Sequence, residues 1–133
     1  MLTICDTHIL LFWADAPKRL SVKADDAVNS GSQSGTLACA DISLWEIAML
    51  YERGRINNHA GVSSGAYIQD ILLALNVTVL PITAEIAELS QSNVFSHGDP
   101  ADRIIAATSI VHHAALITAD AKLLAVPTLR CIW

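Results

Sequence analysis

Four carboxylates carry the clearest chemical signal in this chain: Asp6, Glu46, Asp102 and Asp120. Each follows, or lies one helical turn beyond, an apolar run or connector of the kind an alternating β/α chain uses at its strand ends. Distant in sequence, they can meet at one edge of a sheet. An all-oxygen cluster repels itself unless cations fill it, and hard oxygen donors suit hard divalent ions. The implied chemistry is metal-dependent, with a cation activating water and stabilising negative charge.

Each acid also has a simpler use. Asp6 can cap a helix at Thr7–Trp13. In Ser43-Leu-Trp-Glu46, Ser43 is a natural N-cap and Glu46 the reciprocal member of a capping box. Asp99-Pro-Ala-Asp102 places an N-cap, a proline at the first helical position and an acid at the third. Asp120 can cap Ala121–Ala125. Capping and coordination are compatible, because a capping oxygen keeps a lone pair. Asp99 stands nearer the rim and reads as an accessory acid. Thr118, at a strand end, can orient Asp120 or a water on the cation.

Other chemistries find little support. HExxH, Cys/His zinc spacing, a P-loop, a Rossmann glycine pattern and the GxSxG elbow are all absent. No histidine pair suits metal-free RNA cleavage. His8 is near Asp6 and is expected to face the site; His97 precedes Asp99 and is placed to touch a substrate phosphate. His59, His112 and His113 receive no role. Arg53, Arg55, Arg103 and Lys122 either meet a phosphate backbone or partner, or are ordinary surface. Trp13, Trp45, Met49 and Tyr51 supply area for a core or an interface.

The elements that must position these acids read as short strands alternating with helices. Strands are expected at Leu2–Cys5, Thr36–Ala40, Val77–Leu80, Ala115–Thr118 and, at an edge, Leu129–Ile132. Helices are expected at His8–Trp13, Leu20–Asn29, Ser43–Glu52, Val62–Leu75, Thr83–Ser90, Pro100–His113 (the longest) and Ala121–Ala125. Ser30–Gly35 reads as a turn-rich joint. This alternation predicts an α/β fold with a mainly parallel sheet covered on both faces. Ligands of such sheets gather beyond the strand carboxyl ends.

Composition sets the outer bounds. The 133 residues fit one domain, residues 1–133, and 53% are hydrophobic against 16% charged, too apolar for disorder. A formal charge of −5 argues against a generally basic nucleic-acid surface. It leaves a nuclease open, because bound cations reverse a local field. Cys5, Cys39 and Cys131 lack ligand spacing and read as reduced thiols. The amino terminus is a poor signal peptide, and no stretch suits a membrane span. A cytoplasmic location without membrane contact is the expectation.

Four blocks, CDTHILLFW, ISLWEIAMLYERGRI, HGDPADRIIAATS and LITADAKL, occur in order. Together they resemble the PIN domain, specifically VapC-type toxins of type II toxin–antitoxin pairs. The resemblance implies an α/β/α sandwich with a parallel sheet and an endoribonuclease using Mg²⁺ or Mn²⁺. It places the catalytic, metal-holding acids on Asp6, Glu46, Asp102 and Asp120, with Asp99 as an accessory acid. It also places Thr7 and Thr118 along the pocket wall. Expected partners are an RNA substrate, a small antitoxin whose tail covers the site, and a second copy of the chain. Two alternatives remain beside it. One is a metal-dependent phosphatase or phosphotransfer module, although Asp6 lacks the acidic neighbour a receiver domain has. The other is a non-catalytic interaction domain whose acids are only caps.

Overall fold

The computed structural model describes residues 1–95 and 98–133. Five strands form one sheet: β1 (Thr3–Cys5), β2 (Leu37–Ala40), β3 (Thr78–Leu80), β4 (Ala115–Ile117) and β5 (Cys131–Ile132). Every pairing is parallel and the spatial order is β3-β2-β1-β4-β5. The chain builds outward from β1 to β3, then returns to the other side of β1 for β4. The order reverses at β1/β4, which opens a crevice beyond their carboxyl ends.

Parallel strands need crossovers, and helices supply them: α1 (Thr7–Asp15), α2 (Val22–Ser34), α3 (Ile42–Glu52), α4 (Ser64–Leu75), α5 (Ala84–Ser90), α6 (Pro100–Val111) and α7 (Ala121–Leu124), with a 3₁₀ turn at Pro17–Arg19. Strand side chains alternate between two cores. Cys5, Leu37, Cys39 and Ile117 face the core built with Ile9 and Leu10 of α1, Val28 of α2, Ile47 of α3 and Ile71 of α4. Ile4, Ala38, Ala40 and Leu116 face the other, with Ile86 of α5, Ile105 and Ala106 of α6 and Leu123 of α7. The result is the helix–sheet–helix layering expected from the strand pattern. No helix among the described residues is long and apolar enough to cross a membrane.

Most elements begin or end a residue or two from the sequence reading, and two differences are larger. Ser30–Ser34 is not a joint but the last turn and a half of α2, which at 13 residues exceeds the 12 of α6. Serine and glycine are poor helix formers, and tertiary packing outweighs them here. Gly31 lies so close to β2 that a Cβ would stand 3.1 Å from Leu37 Cδ1. The helix stops at Gly35, whose φ of 69° is left-handed and whose N–H closes on the Gly31 and Ser32 carbonyls. The edge strand β5 is only two residues, and Leu129 is instead buried in the loop before it.

Gly35→Ala forces an L side chain into the left-handed region and should cost about 1–2 kcal/mol. Urea denaturation should give a lower midpoint at unchanged slope. An unchanged midpoint would mean that the α2–β2 connection relaxes freely.

Candidate active site

The site starts where β1 ends. Asp6 N–H donates to the Ile117 carbonyl at 3.0 Å, extending the β1/β4 pairing by one residue. The backbone then turns into α1 with Asp6 as its N-cap. One carboxylate oxygen accepts from Thr7 N–H at 2.8 Å, the other from Thr118 Oγ1 at 2.7 Å. The residue is only 4% exposed. Each oxygen retains a further lone pair.

Thr118 is ordered from behind. Its hydroxyl oxygen accepts from Asp120 N–H at 3.0 Å, so its single proton is directed at Asp6. Thr118 therefore grips the Asp6 carboxylate and the Asp120 backbone, rather than the Asp120 carboxylate. Asp120 caps α7, accepting from Lys122 N–H at 2.9 Å. Thr7 plays the matching part on the other flank. Its hydroxyl donates to Glu46 Oε1 at 2.6 Å and lies 2.9 Å from the buried Ser43 hydroxyl.

The Ser43–Glu46 capping box does not form. Asp41 keeps helical backbone angles (φ −61°, ψ −28°), so α3 begins at Ile42 and Ser43 already lies in its first turn. Its hydroxyl turns to Thr7 instead. Ser43 and Glu46 are one turn apart on the same face, and together they hold Thr7. That spacing was visible in the sequence, but its partner 36 and 39 residues upstream was not.

The Asp99-Pro-Ala-Asp102 start of α6 forms as expected. Asp99 accepts from Ala101 N–H at 2.9 Å and Asp102 N–H at 3.3 Å, and Pro100 occupies the first turn. A cleft of about 340 Å³ is lined by Asp6, Glu46, Asp99, Asp102 and Asp120, with His8, Phe12 and Ala119 completing the wall. Phe12, missed in the sequence, reads there only as an apolar helix residue. His97 lies outside the described residues. His59 bonds Asp15 at 3.2 Å, and His112 and His113 are exposed at the end of α6. Arg103 turns to the Ser92 carbonyl at 3.2 Å.

Crowded, partly buried acids hold protons tightly. Burial raises the Asp6 and Glu46 carboxyls above their ordinary range, despite the threonine bonds that oppose the shift. Burial and repulsion from Asp6, Asp99, Asp120 and Glu46 push Asp102 up to about 8. Five carboxylates and no thiol in the cleft wall make a hard-oxygen donor set, which fits Mg²⁺ or Mn²⁺ and not a soft metal. As the side chains stand, no three acids, imidazoles or thiols among the described residues close into a finished ion cage. The acids do line one cleft.

Fold and site thus define a doubly wound α/β protein with a carboxylate-lined crevice at its switch point. The chain belongs to the PIN domain family, whose profile matches residues 3–129. It is 37% identical over 121 residues to ribonuclease VapC22 of Mycobacterium tuberculosis, covering 90% of this chain and 88% of that one. Similar solved structures include VapBC2 from Rickettsia felis bound to a promoter DNA fragment (TM-score 0.70, 14% identity, 98% and 97% of the chains). A toxin–antitoxin complex from Klebsiella pneumoniae is also similar (TM-score 0.65, 19% identity, 96% and 94%). At these identities the structural likeness speaks for the fold.

The raised carboxyls fix the sign of a pH effect. A group whose proton affinity is higher folded than unfolded leaves stability intact below its unfolded value, near 4 for a carboxyl, and withdraws it as pH rises through the folded value. Without divalent cations, the contribution of Asp102 to the melting temperature should therefore decline between about pH 4 and pH 8. Asp102→Asn should flatten that decline in thermal melts. An equally steep decline in the variant would place the responsible charge elsewhere.

Proposed function

We propose that the chain is a Mg²⁺- or Mn²⁺-dependent endoribonuclease, one nuclease domain spanning residues 1–133, and the toxin of a toxin–antitoxin pair. The observation that carries this reading is the meeting of five carboxylates in one cleft at the β1/β4 switch point. The kinship with a named ribonuclease gives the reaction class and the kind of substrate. Asp6, Glu46, Asp102 and Asp120 would hold the cation, with Asp99 assisting from the rim.

When bound, the divalent ion supplies a neutralising charge to the acids, polarises the phosphodiester and makes attack by water feasible at neutral pH. The chain's own residues supply position. Thr118 and the Thr7 amide fix both oxygens of Asp6 on the crevice floor. The Thr7 hydroxyl fixes one Glu46 oxygen across the cleft. The start of α6 presents Asp102 beside Asp99, whose carboxylate is held by the first helical amides. Helix-start partial charge favours the ionised acids there. Hydrolysis in this geometry is expected to leave a 5′-phosphate and a 3′-hydroxyl.

Asp6→Asn and Asp102→Asn should each lower RNA cleavage by about 10²-fold or more, since each removes a charged ligand while keeping shape. Asp99→Asn should do less harm, because asparagine still caps a helix. Gel-resolved cleavage of single-stranded and structured RNAs, with Mg²⁺, Mn²⁺ or EDTA, measures this. Equal cleavage in EDTA would exclude the metal-dependent route, and near-normal rates in both variants would reject the assigned acids.

The similar solved structures of VapBC and toxin–antitoxin complexes support an antitoxin partner for this chain. An inhibitory side chain suited to the cleft is an arginine, whose guanidinium satisfies carboxylates bidentately and competes with the cation. A second copy of the chain is the other expected partner, with exposed Trp45 among the candidate contacts. Co-expression with its antitoxin should give a complex that does not cleave RNA. The isolated chain should sediment as a dimer at tens of micromolar. A complex cutting at the free chain's rate would rule out blocking of the site, and a monomer would remove the dimer.

A further inference from the structure

Two grooves share different parts of their walls with the acid cleft, and they differ in charge. One shares Glu46 and Asp99 with the cleft and runs between α3 and α6 past Trp45, Met49 and Ile104, with no lysine or arginine in its wall. The other shares His8 and Phe12 with the cleft and runs along α1 for about 300 Å³ to Arg19 and Arg55. A polyanion entering the cleft thus meets acid and hydrocarbon in one groove and guanidinium groups in the other.

The Arg19 side chain and the Arg55 backbone are both held on that second wall. The Arg19 guanidinium lies over the Phe12 ring, 4.3 Å from its centroid. That stacking aligns a cation with the ring which also lines the cleft. Arg55 sits in the loop after α3, where its N–H donates to the Leu50 carbonyl at 2.9 Å. Tyr51 pins the rest of this loop, donating to the Val62 carbonyl at 2.6 Å and accepting from His59 N–H at 3.1 Å. Asp15 also lines the groove, but its carboxylate is engaged by the Tyr67 hydroxyl and by His59. Among the described residues, neither arginine is ion-paired with a carboxylate.

We propose that the RNA strand on one side of the scissile phosphate lies in the α1 groove, with its phosphates against Arg19 and Arg55 and His8 at the junction with the cleft. This rests on the nuclease reading and adds the direction of the substrate. The length of α1 supports it: nine residues at 1.5 Å rise span about 13.5 Å, roughly four steps of a strand stacked at ~3.4 Å. Arg19 and Arg55 are positioning residues, and the affinity they supply is electrostatic.

The test uses the full chain with Mg²⁺ and a labelled single-stranded RNA whose cleavage site has been mapped with the wild type. Arg19→Gln, Arg55→Gln and the double variant are compared with Trp45→Ala in the other groove and with Lys23→Gln on exposed α2. In the double variant KM should rise about tenfold or more, as expected when two charge-assisted hydrogen bonds are removed, and the effect should fall on KM rather than kcat. The slope of log KM against log salt should shrink by about 0.7 for each phosphate no longer neutralised. Lys23→Gln should leave that slope unchanged, and thermal melts confirm that each variant is folded. An unchanged KM and slope in the double variant, while the wild type cleaves, would overturn the path and leave the nuclease reading standing. A KM effect confined to Trp45→Ala would move the strand to the other groove and overturn it equally. No cleavage of any RNA by the wild type with Mg²⁺ or Mn²⁺ would overturn both.

Discussion

The buried charge of Asp6 is the constraint on which the rest of the site depends. An ionised carboxylate taken out of water loses several kcal/mol of solvation unless protein groups take the place of that water. Here an amide at the start of α1 and the Thr118 hydroxyl do so. Both require β1 to be central. One flank must be β2, so that α3 can bring Glu46 and Ser43 to Thr7. The other must be β4, so that Thr118 emerges level with Asp6. The registers Cys5↔Cys39 and Cys5↔Ile117 level the ends of β1 and β4, with β2 running one residue further to Ala40. A one-residue slip would turn these side chains to the wrong face.

Small side chains make the convergence possible. Ala38 and Ala40 on β2 and Ala101, Ala106 and Ala107 on α6 are buried with little volume. They let α6 lie close to the sheet and bring its acidic first turn near Asp6. The polar residues of α6 that enter this core stay satisfied locally: Thr108 donates to the Ile104 carbonyl and Ser109 to the Ile105 carbonyl. Cys5 and Cys39 are neighbours across β1 and β2, yet both are free and buried. Burial drives the Cys5 thiol strongly upward and Cys39 up to about 12, so neither is a ready thiolate at neutral pH. They fill space, as their apolar surroundings indicated.

Most of this was readable from local pattern. Strand-length apolar runs and helix-start acids located the β/α units, and parallel pairing followed from their alternation. Asp6, Asp99, Asp102 and Asp120 could be placed at element starts because capping is a short-range rule. What local pattern misled on was decided at long range. Ser30–Ser34 is helical because Gly31 meets Leu37. Ser43 is not a cap because Asp41 continues the helical backbone and the hydroxyl finds Thr7. Thr118 pairs with a residue 112 positions away, a contact that no window along the chain displays. The groove along α1 was equally hidden, since Arg19 and Arg55 come to line one groove only after α1 and α3 pack.

The formal charge of the molecule is unevenly placed. The chain has thirteen acids against eight lysines and arginines, an excess of five. Five of those acids line the cleft, so the remaining eight match the basic residues in number. The formal excess of acids over bases is therefore accounted for by the site. Repulsion of a polyanionic substrate would arise at the one place where that substrate must react. Cations bound there would remove it locally, and bound charges weigh far more in a partly buried site than screening ions do over open surface. An acidic isoelectric balance and a phosphodiester substrate are then compatible, provided that cation loading precedes or accompanies substrate entry. The same concentration of acids suits the cleft to a basic inhibitory side chain.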